Sequence, residues 1–264
     1  MAKIFFCGDI INQFSDRQFI GEKLQNIIIK TDIAICNFEG VVDNSVFPRN
    51  GMLQTVTTPN SIKKAGFDLC LLANNHITDY GSEGLKHTFN QLASEKLDFI
   101  GAGFNSSTVY KPYIRQINGQ TIGIVNLCEA QIGQYVDDTC SFGYAWIGWP
   151  EIDNFILETR KNVDVLFLCV HAGLEHYELP LKEFRKLYRH YCDLGVDYVI
   201  GGHPHIAQGY ELYKNSVIFY SLGNFYFPRS KDADYNEYEN NSYSVVIDTE
   251  IKDFELIYHR IENN

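Results

Sequence analysis

Five short apolar runs, each ending in a residue type that can coordinate a metal, constrain this sequence more than any other feature. With their polar ends they are KIFFCGD at 3–9, IAICNFE at 33–39, FDLCLLANNH at 67–76, VLFLCVH at 165–171, and the run 196–200 that continues into GGHPHIAQG. Apolar runs of this length, bounded by turn residues, predict buried strands. Ligands in α/β folds bind beyond the carboxyl ends of strands, so the polar ends predict one shared site.

The residues at these ends carry imidazole, carboxylate and amide groups, the ligands of Zn, Mn or Fe rather than of an all-oxygen calcium site. They are Asp9, Glu39, Asn74, Asn75, His76, His171, His203 and His205. Each alone has a local explanation: Asp9 fits an Asx-turn, Asn74 a left-handed turn and His171 a hydrogen-bonded core histidine. Five such ends in one chain make a metal-centred hydrolase the leading hypothesis.

The balance of acidic and basic residues disfavours one class of partner. The formal net charge is −11, from 33 acidic and 22 basic residues. A protein that neutralises a nucleic-acid backbone needs a basic surface, so nucleic acid is not an expected partner. A bound phosphate would depend on metal ions for much of its positive field.

The apolar pattern predicts a cytoplasmic protein. We find no run of about 18 apolar residues, so no membrane insertion is expected. The first residues, MAKIFFCGDIINQ, fit a core strand better than an export signal. The seven cysteines are odd in number, and several lie in apolar runs, which is typical of reduced core residues. No sequence feature specifies an oligomeric state.

The order of the segments predicts a layered α/β fold with residues 1–264 in a single domain. Predicted helices cover 16–29, 82–96, 150–161 and 181–194. Predicted strands cover 3–7, 33–36, 68–72, 98–100, 121–127, 163–170, 197–200, 216–220, 242–248 and 254–261. Early strands alternate with helices, which favours a layered α/β fold, and late strands follow one another with only turns between them, which favours antiparallel or mixed pairing. Two sheets flanked by helices fit both halves. The segments 131–149 and 227–241 are expected to be long loops, either walls of a binding site or plain surface loops.

Six strings along the chain resemble the bacterial CapA family, which is associated with poly-γ-glutamate capsule synthesis. In order they are GDI, NFEG, LANNHITDYG, VHAGLEHY, GGHPHIAQG and YSLGNF. That family is similar to the calcineurin-like metallophosphoesterases. The resemblance implies a four-layer α/β/β/α sandwich, with one or two divalent ions between the edges of its two sheets. Mn, Zn and Fe are the expected metals.

The same resemblance implies roles for the site residues. The implied metal ligands are Asp9, Asn75, His171, His203 and His205, with Glu39 as an additional or bridging carboxylate. His76 resembles a histidine that meets the substrate oxygen and does not bind the metal. Asp79 either orients His76 or caps the helix that begins near Ser82. Calcineurin-like enzymes usually carry Asp-x-His at the first strand end, whereas this chain has Ile11 there, so Glu39 is expected to replace the missing imidazole.

Other residues near the motifs are candidates for substrate contact. They are Asn74, His176, Tyr177 and Asn224, with Arg49, Arg115 and Arg229 as possible anion clamps. For His176, a plain exposed loop position is an equal alternative. The remaining histidines, His87, His190 and His259, fall on predicted helices or on the last strand and are expected to be structural or surface residues.

Three functions fit this pattern. The first is a metal-dependent phosphatase or phosphodiesterase that acts on a small or polymer-linked phosphoester, within a surface-polymer pathway. There His76 would stabilise the transition state or protonate the leaving oxygen. The second applies the metal centre to a γ-glutamyl or peptide substrate, by hydrolysis or by proton abstraction next to a carbonyl. The third is a non-catalytic assembly factor of a polymer-synthesising complex.

Overall fold

The computed structural model describes residues 2–12, 19–42, 58–129, 132–227 and 237–262. The α-helices of these ranges are α1 Glu22–Ile28, α2 Pro59–Ala65, α3 Gly81–Ser94, α4 Ser106–Val109, α5 Ile152–Arg160 and α6 Lys182–Asp193. The strands are β1 Lys3–Ile10, β2 Ile33–Phe38, β3 Leu69–Leu71, β4 Asp98–Ile100, β5 Ala102–Gly103, β6 Tyr113–Ile117, β7 Gln120–Cys128, β8 Gly143–Tyr144, β9 Val165–His171, β10 Tyr198–Gly202, β11 Tyr210–Tyr213, β12 Ser216–Phe219, β13 Asn224–Tyr226, β14 Asn241–Asp248 and β15 Asp253–Arg260. A 3₁₀-helix covers Glu237–Asn240.

The first sheet has seven strands within the described ranges. Six follow the order β15-β14-β1-β2-β3-β4, and β13 pairs with the end of β1. Strands β1 to β4 run parallel, whereas β14 and β15 pair antiparallel. Only glycine fits at position 8, because a Cβ atom there would lie 1.7 Å from the Gly223 carbonyl oxygen just before β13. This close approach brings β13 against the strand that carries Asp9.

The second sheet has the order β11-β12-β10-β9-β7-β6. Its four central strands are parallel, and its two edge strands, β6 and β11, are antiparallel to their neighbours. A separate two-stranded pair joins β5 to β8. The mixed pairing agrees with the prediction for the late strands.

Three apolar clusters separate four layers. The outer face of the first sheet, with Phe5, packs on α3 through Leu85. Its inner face packs on the second sheet, where the rings of Phe6 and Phe167 have centroids 5.1 Å apart. The outer face of the second sheet packs on α5 and α6, the latter through Tyr191. Both faces of the central strands are therefore buried, which explains their continuous apolar sequences. The predicted four-layer α/β/β/α sandwich is confirmed.

Differences from the predicted elements have local reasons. Helices α2 and α4 are only 7 and 4 residues long, too short to show a helical period in the sequence. The predicted loop 131–149 contains β8, which pairs with β5 about forty residues earlier, and no local pattern reveals such a contact. Of the first predicted helix, 16–29, the structure shows α1 over Glu22–Ile28, and residues 19–21 are not helical. Residues 16–18 of that helix and 228–236 of the predicted loop 227–241 lie outside the described residues.

The cysteines pack as core residues. All seven are free, and six of them are buried. Burial raises the pKa of the Cys7 and Cys36 thiols, which disfavours the reactive thiolate form.

Two further predictions concern the chain as a whole. Among the described residues, no helix is both long enough and apolar enough to cross a lipid bilayer. The assignment of residues 1–264 to a single domain stays a prediction.

Candidate metal centre

Five parallel strands of the two sheets deliver the predicted ligand residues to one place. From the first sheet, Asp9 lies near the end of β1, Glu39 follows β2, and Asn75 follows β3. From the second sheet, His171 is the last residue of β9, and His203 and His205 follow β10. All six residues are buried, the most exposed being His205 at 6%. The structure thus brings together every residue predicted to bind a metal.

The His171 imidazole, from the second sheet, contacts both the Asn75 side-chain amide, from the first sheet, and the imidazole of His203. His171 Nε2 lies 2.9 Å from Asn75 Oδ1 and 3.1 Å from His203 Nδ1. The backbone of His203 has a φ of 93° and that of His205 a φ of 60°. Positive φ values are uncommon for residues other than glycine. Such strain at two neighbouring histidines is typical of a functional site.

The carboxylates lie on the other side of the same cluster. Asp9 Oδ2 is 3.4 Å from His205 Nδ1. Glu39 Oε1 is 3.7 Å from His205 Nε2 and 4.0 Å from Nε2 of both His76 and His171. One ligand atom from each of Asp9, Glu39 and His205 lies within 4.8 Å of the others. These three residues could hold a metal ion, as could Glu175 with His203 and His205.

Buried polar atoms without partners support this interpretation. Among the described residues, neither Glu39 carboxylate oxygen nor Asn75 Nδ2 has a hydrogen-bond partner, although all three atoms are buried. Buried carboxylates are normally paired, hydrogen-bonded or bound to a metal. The donor set of two carboxylates, one amide and three imidazoles is one that Zn, Mn or Fe accepts. The residues present therefore fit a divalent ion.

Burial shifts the acids and the imidazoles of this cluster in opposite directions. It raises the pKa of Asp9 to about 6, against a lowering effect of the hydrogen bond from Asn37. Burial, and then the neighbouring Asp9 carboxylate, raise the pKa of Glu39 well above its usual value. Burial also lowers the pKa of His171 far below its usual value and that of His203 to about 3. His171 and His203 are thus held neutral, the form that can bind a metal.

His76 and Asp79 form a pair beside the cluster. His76 Nδ1 lies 2.8 Å from Asp79 Oδ2, and the opposite ring nitrogen faces Glu39. Helix α3 begins at Gly81, and its N-cap residue is Tyr80, without a side-chain cap hydrogen bond. Of the two roles considered for Asp79, the contact observed is the one with His76.

The predicted substrate contacts have different surroundings. Asn74 is fully buried, donates to the Phe38 carbonyl and accepts from the His76 N–H, so it holds the turn. Asn224 Oδ1 lies 2.9 Å from His205 Nδ1 and orients that ring. His176 and Tyr177 remain partly open to solvent.

Of the arginines suggested as anion clamps, only Arg115 falls within the described residues, and it is not part of the cluster. Arg115 lies on the edge strand β6, and its guanidinium donates to the Tyr113 hydroxyl. Arg49 and Arg229 lie outside the described residues.

Sequence reasoning missed three residues of this region. Asn37 Nδ2 donates to Asp9 Oδ1 at 2.6 Å and lies 3.0 Å from His171 Nδ1. Glu175 lies 3.8 Å from His203, and Glu239 contacts His176. Asn37 alternates with Glu39 at the end of β2, so the period of a strand was a signal that both point to the same side. No local pattern marks Glu239.

The chain is similar to proteins of bacterial capsule synthesis. The family model for the bacterial capsule synthesis protein PGA_cap matches residues 3–229. The capsule biosynthesis protein CapA of Bacillus anthracis is 32% identical over 184 residues, which is 67% of this chain and 45% of that protein. The PGA biosynthesis protein CapA of Bacillus subtilis (strain 168) is 35% identical over 168 residues, 63% of this chain and 44% of that protein. The chain thus spans less than half the length of these relatives.

A more distant relative and two solved structures extend the comparison. A "probable polyglutamine synthesis accessory protein" of Mycobacterium tuberculosis is 23% identical over 166 residues, 59% of this chain and 44% of that protein. A hypothetical protein from Thermus thermophilus superposes with a TM-score of 0.62 at 15% identity, covering 98% of this chain and 100% of that one. A 5′-nucleotidase precursor from the same organism gives a TM-score of 0.54 at 12% identity, covering 98% of this chain and 54% of that one. At these identities the structural likeness shows the fold alone.

Proposed function

This chain belongs to the bacterial capsule synthesis protein PGA_cap family, and on that premise we propose that it is a metal-dependent hydrolase that cleaves a phosphoester during the making of a surface polymer. The observation that carries the proposal is the buried cluster of six potential ligands, in which both Glu39 oxygens have no hydrogen-bond partner among the described residues. The printed names of the CapA relatives support the link to a surface polymer.

The candidate ligands share contacts across the cluster. Asp9 lies within 4.0 Å of a ring nitrogen of both His171 and His205, and so does Glu39 Oε1. One or two divalent ions held there would supply Lewis-acid activation of water and of the phosphoryl oxygens. The protein contributes neutral imidazoles and buried carboxylates at fixed positions, so little reorganisation is needed when a cation binds.

His76 is the residue best placed to move a proton. Asp79 holds Nδ1 at 2.8 Å, which fixes the ring and leaves Nε2 facing the cluster, 4.0 Å from Glu39 Oε1. From that position, Nε2 can donate to a phosphoryl oxygen or give its proton to the leaving oxygen. The dependence of this ring on Asp79 makes Asp79 a positioning residue in the proposal.

The test is a panel of phosphoesters assayed with metal-stripped protein, to which Mn, Zn, Fe, Mg or Ca is restored. We expect hydrolysis that a chelator abolishes and that Mn, Zn or Fe restores. His76→Asn should lower kcat about 10²–10⁴-fold without changing metal content, because it removes a proton donor and no ligand.

The matched control is His190→Asn. His190 also contacts a carboxylate, Asp153 Oδ2 at 2.8 Å, but both side chains are almost half exposed on α6 and α5. The activity of His190→Asn should equal that of the wild type. A wild-type protein that binds metal yet hydrolyses no phosphoester of the panel, or a His76→Asn variant with full activity, would refute the proposal.

A second candidate is the same metal chemistry on a γ-glutamyl amide. It is favoured by the name of the Bacillus subtilis relative, a PGA biosynthesis protein. Orthovanadate, which mimics a phosphoryl group in transfer, should inhibit the first activity and leave the second unaffected. A non-catalytic accessory role, as in the name of the Mycobacterium tuberculosis relative, predicts instead that His76→Asn supports polymer formation as well as the wild type.

A further inference from the structure

One exposed histidine beside the metal centre is fixed by three separate contacts. The His176 backbone N–H donates to the Pro204 carbonyl at 2.9 Å, between the two ligand histidines of the HPH turn. Its ring stacks on that of His205, with centroids 6.1 Å apart and planes at 29°. Its Nδ1 lies 2.9 Å from Glu239 Oε1. An exposed side chain held this firmly loses little entropy when it binds a ligand.

The carboxylate that holds His176 comes from a distant part of the chain. Glu239 lies in the 3₁₀-helix that leads into β14, and its side chain is only 3% exposed, whereas that of His176 is 45% exposed. A buried carboxylate carries a desolvation penalty that must be offset by its contacts. The backbone of His176 also adopts a φ of 59°, which is unfavourable for a histidine. A buried carboxylate and a strained backbone are thus combined in one contact beside the ligand cluster.

We propose that His176 is a further substrate-contacting residue of the metal centre and that Glu239 is its positioning residue. This inference rests on the proposed function of the centre and names a group that binds the phosphate of the substrate. Because Glu239 engages Nδ1, Nε2 is the ring atom left to form a hydrogen bond with a phosphate oxygen. It lies 3.7 Å from the exposed carboxylate of Glu175, beyond hydrogen-bond distance.

The arrangement repeats that of His76 and Asp79. In each pair a carboxylate holds Nδ1, at 2.8 Å in one and 2.9 Å in the other, and the ring adjoins the ligand cluster. The first pair lies on the turn after β3 of the first sheet, and His176 lies in the loop after β9 of the second sheet. A phosphate at the centre would therefore meet one oriented imidazole from each sheet.

The experiment measures binding of inorganic phosphate to the Mn-loaded protein by calorimetry, which requires no turnover. His176→Ala should weaken phosphate binding about tenfold or more, as expected for the loss of one hydrogen bond to a charged group. Its Mn affinity should stay within about twofold of the wild-type value, because phosphate contact and metal ligation are separate roles. His190→Ala, which removes an imidazole of a similar pair on α6, should change neither quantity.

Glu239→Gln tests the positioning role. It should weaken phosphate binding by a smaller factor than His176→Ala, and the double variant should be no weaker than His176→Ala alone, because the two residues act through one ring. If a phosphoester is hydrolysed, KM should rise in both variants in proportion to the loss of phosphate affinity. The thermal stability of each variant is measured in parallel, and His176→Gln replaces His176→Ala if the latter fails to fold.

The outcomes separate this inference from the proposed function. If the wild type binds Mn and phosphate but hydrolyses no phosphoester, the proposed function fails, and a tenfold loss in His176→Ala still supports the phosphate contact. Phosphate binding by His176→Ala equal to that of the wild type would overturn the inference. So would a parallel loss of Mn, which would make His176 a part of the metal site, and so would an absence of phosphate binding in the wild-type protein.

Discussion

The two sheets contribute different chemistry to the same site. The first sheet offers oxygen atoms as candidate ligands, from Asp9, Glu39 and Asn75, and the second offers the imidazole nitrogens of His171, His203 and His205. Neither sheet alone holds a complete set. A cation held by residues of both sheets would require the whole sandwich to have formed, so metal affinity would report on the contact between the sheets.

The two sheets also differ in how their polar groups are accommodated when no cation is bound. We call the residues Asp9, Glu39 and Asn75 the oxygen side and His171, His203 and His205 the nitrogen side. On the nitrogen side, burial keeps His171 and His203 neutral, and their rings lie within hydrogen-bond distance of each other. On the oxygen side, burial opposes the charge of two neighbouring acids, and Glu39 finds no hydrogen-bond partner among the described residues. The carboxylates should therefore gain most from a bound cation, and the imidazoles should mainly set its position.

The substitution with the largest expected effect removes the acid that lacks a partner. Glu39→Gln should lower Mn affinity at least about 100-fold, or about 2.7 kcal/mol, since it removes a central carboxylate ligand. At neutral pH the same change should raise the stability of the metal-free protein by about 1–2 kcal/mol, because a buried unpaired acid is unfavourable there. Calorimetry gives the first quantity and urea unfolding the second.

Glu183→Gln is the matched control for that variant, because Glu183 is exposed in the first turn of α6. It should change neither Mn affinity nor metal-free stability by more than about 0.5 kcal/mol. A metal-free Glu39→Gln protein less stable than the wild type would show that Glu39 serves the fold and not a cation.

A smaller loss of Mn affinity is expected on substitution of Asn37, which contacts a residue from each sheet. Its side-chain amide contacts both Asp9, at 2.6 Å, and His171 Nδ1, at 3.0 Å. Asn37→Leu should lower Mn affinity about 10–100-fold, the usual range for a residue that orients metal ligands. The absorption spectrum of the Co-loaded protein should shift, because both ligands would be reoriented. Asn154→Leu, at an exposed position on α5, should leave the spectrum unchanged.

The smallest expected effect is on the pH dependence of Mn affinity, to which the oxygen side and the nitrogen side should contribute differently. The pKa of Asp9 is raised to about 6, so Asp9 takes up a proton between pH 7 and pH 5, whereas the pKa of His203 is lowered to about 3 and His203 stays neutral there. Mn affinity should therefore fall about tenfold across this range through Asp9, because a protonated carboxylate is a poor ligand. In Asp9→Asn, this part of the pH dependence should vanish, and its persistence would assign the titration elsewhere.

The sign for the metal-free protein is opposite for the two groups. The raised pKa of Asp9 contributes stability that is present below its unfolded pKa, about 4, and is lost as the pH rises through about 6. The lowered pKa of His203 contributes stability that is present above about 6.5 and is lost as the pH falls towards 3. Urea unfolding of wild type and Asp9→Asn between pH 4 and pH 7 should show the first trend only in the wild type.

Much of the fold and of the ligand cluster could be predicted because the signals are local. A strand buried on both faces reads as an unbroken apolar run, as in VLFLCVH, and its end is marked by the first polar residue, here His171. The same logic located Asp9, Glu39 and His203. The resemblance to a known family then selected Asn75 over its neighbour Asn74, which holds the turn.

The rest could not be predicted because it depends on contacts between distant segments. Strand β13 is three residues long and pairs with β1 more than two hundred positions earlier. Glu239 meets His176 only because the 3₁₀-helix before β14 lies over the loop after β9. The pairing of β5 with β8 likewise has no local sequence signal.

The position of β1 in the middle of its sheet has a consequence for biosynthesis. Its register partner on one side is β14, with Phe6 opposite Val245, so this edge of β1 stays unpaired until residues 241–248 leave the ribosome. At about 5–20 residues per second, that interval lasts roughly 10–50 s. Nascent chains should therefore expose an unpaired strand edge for that time, which makes them prone to aggregate before the sheet is complete.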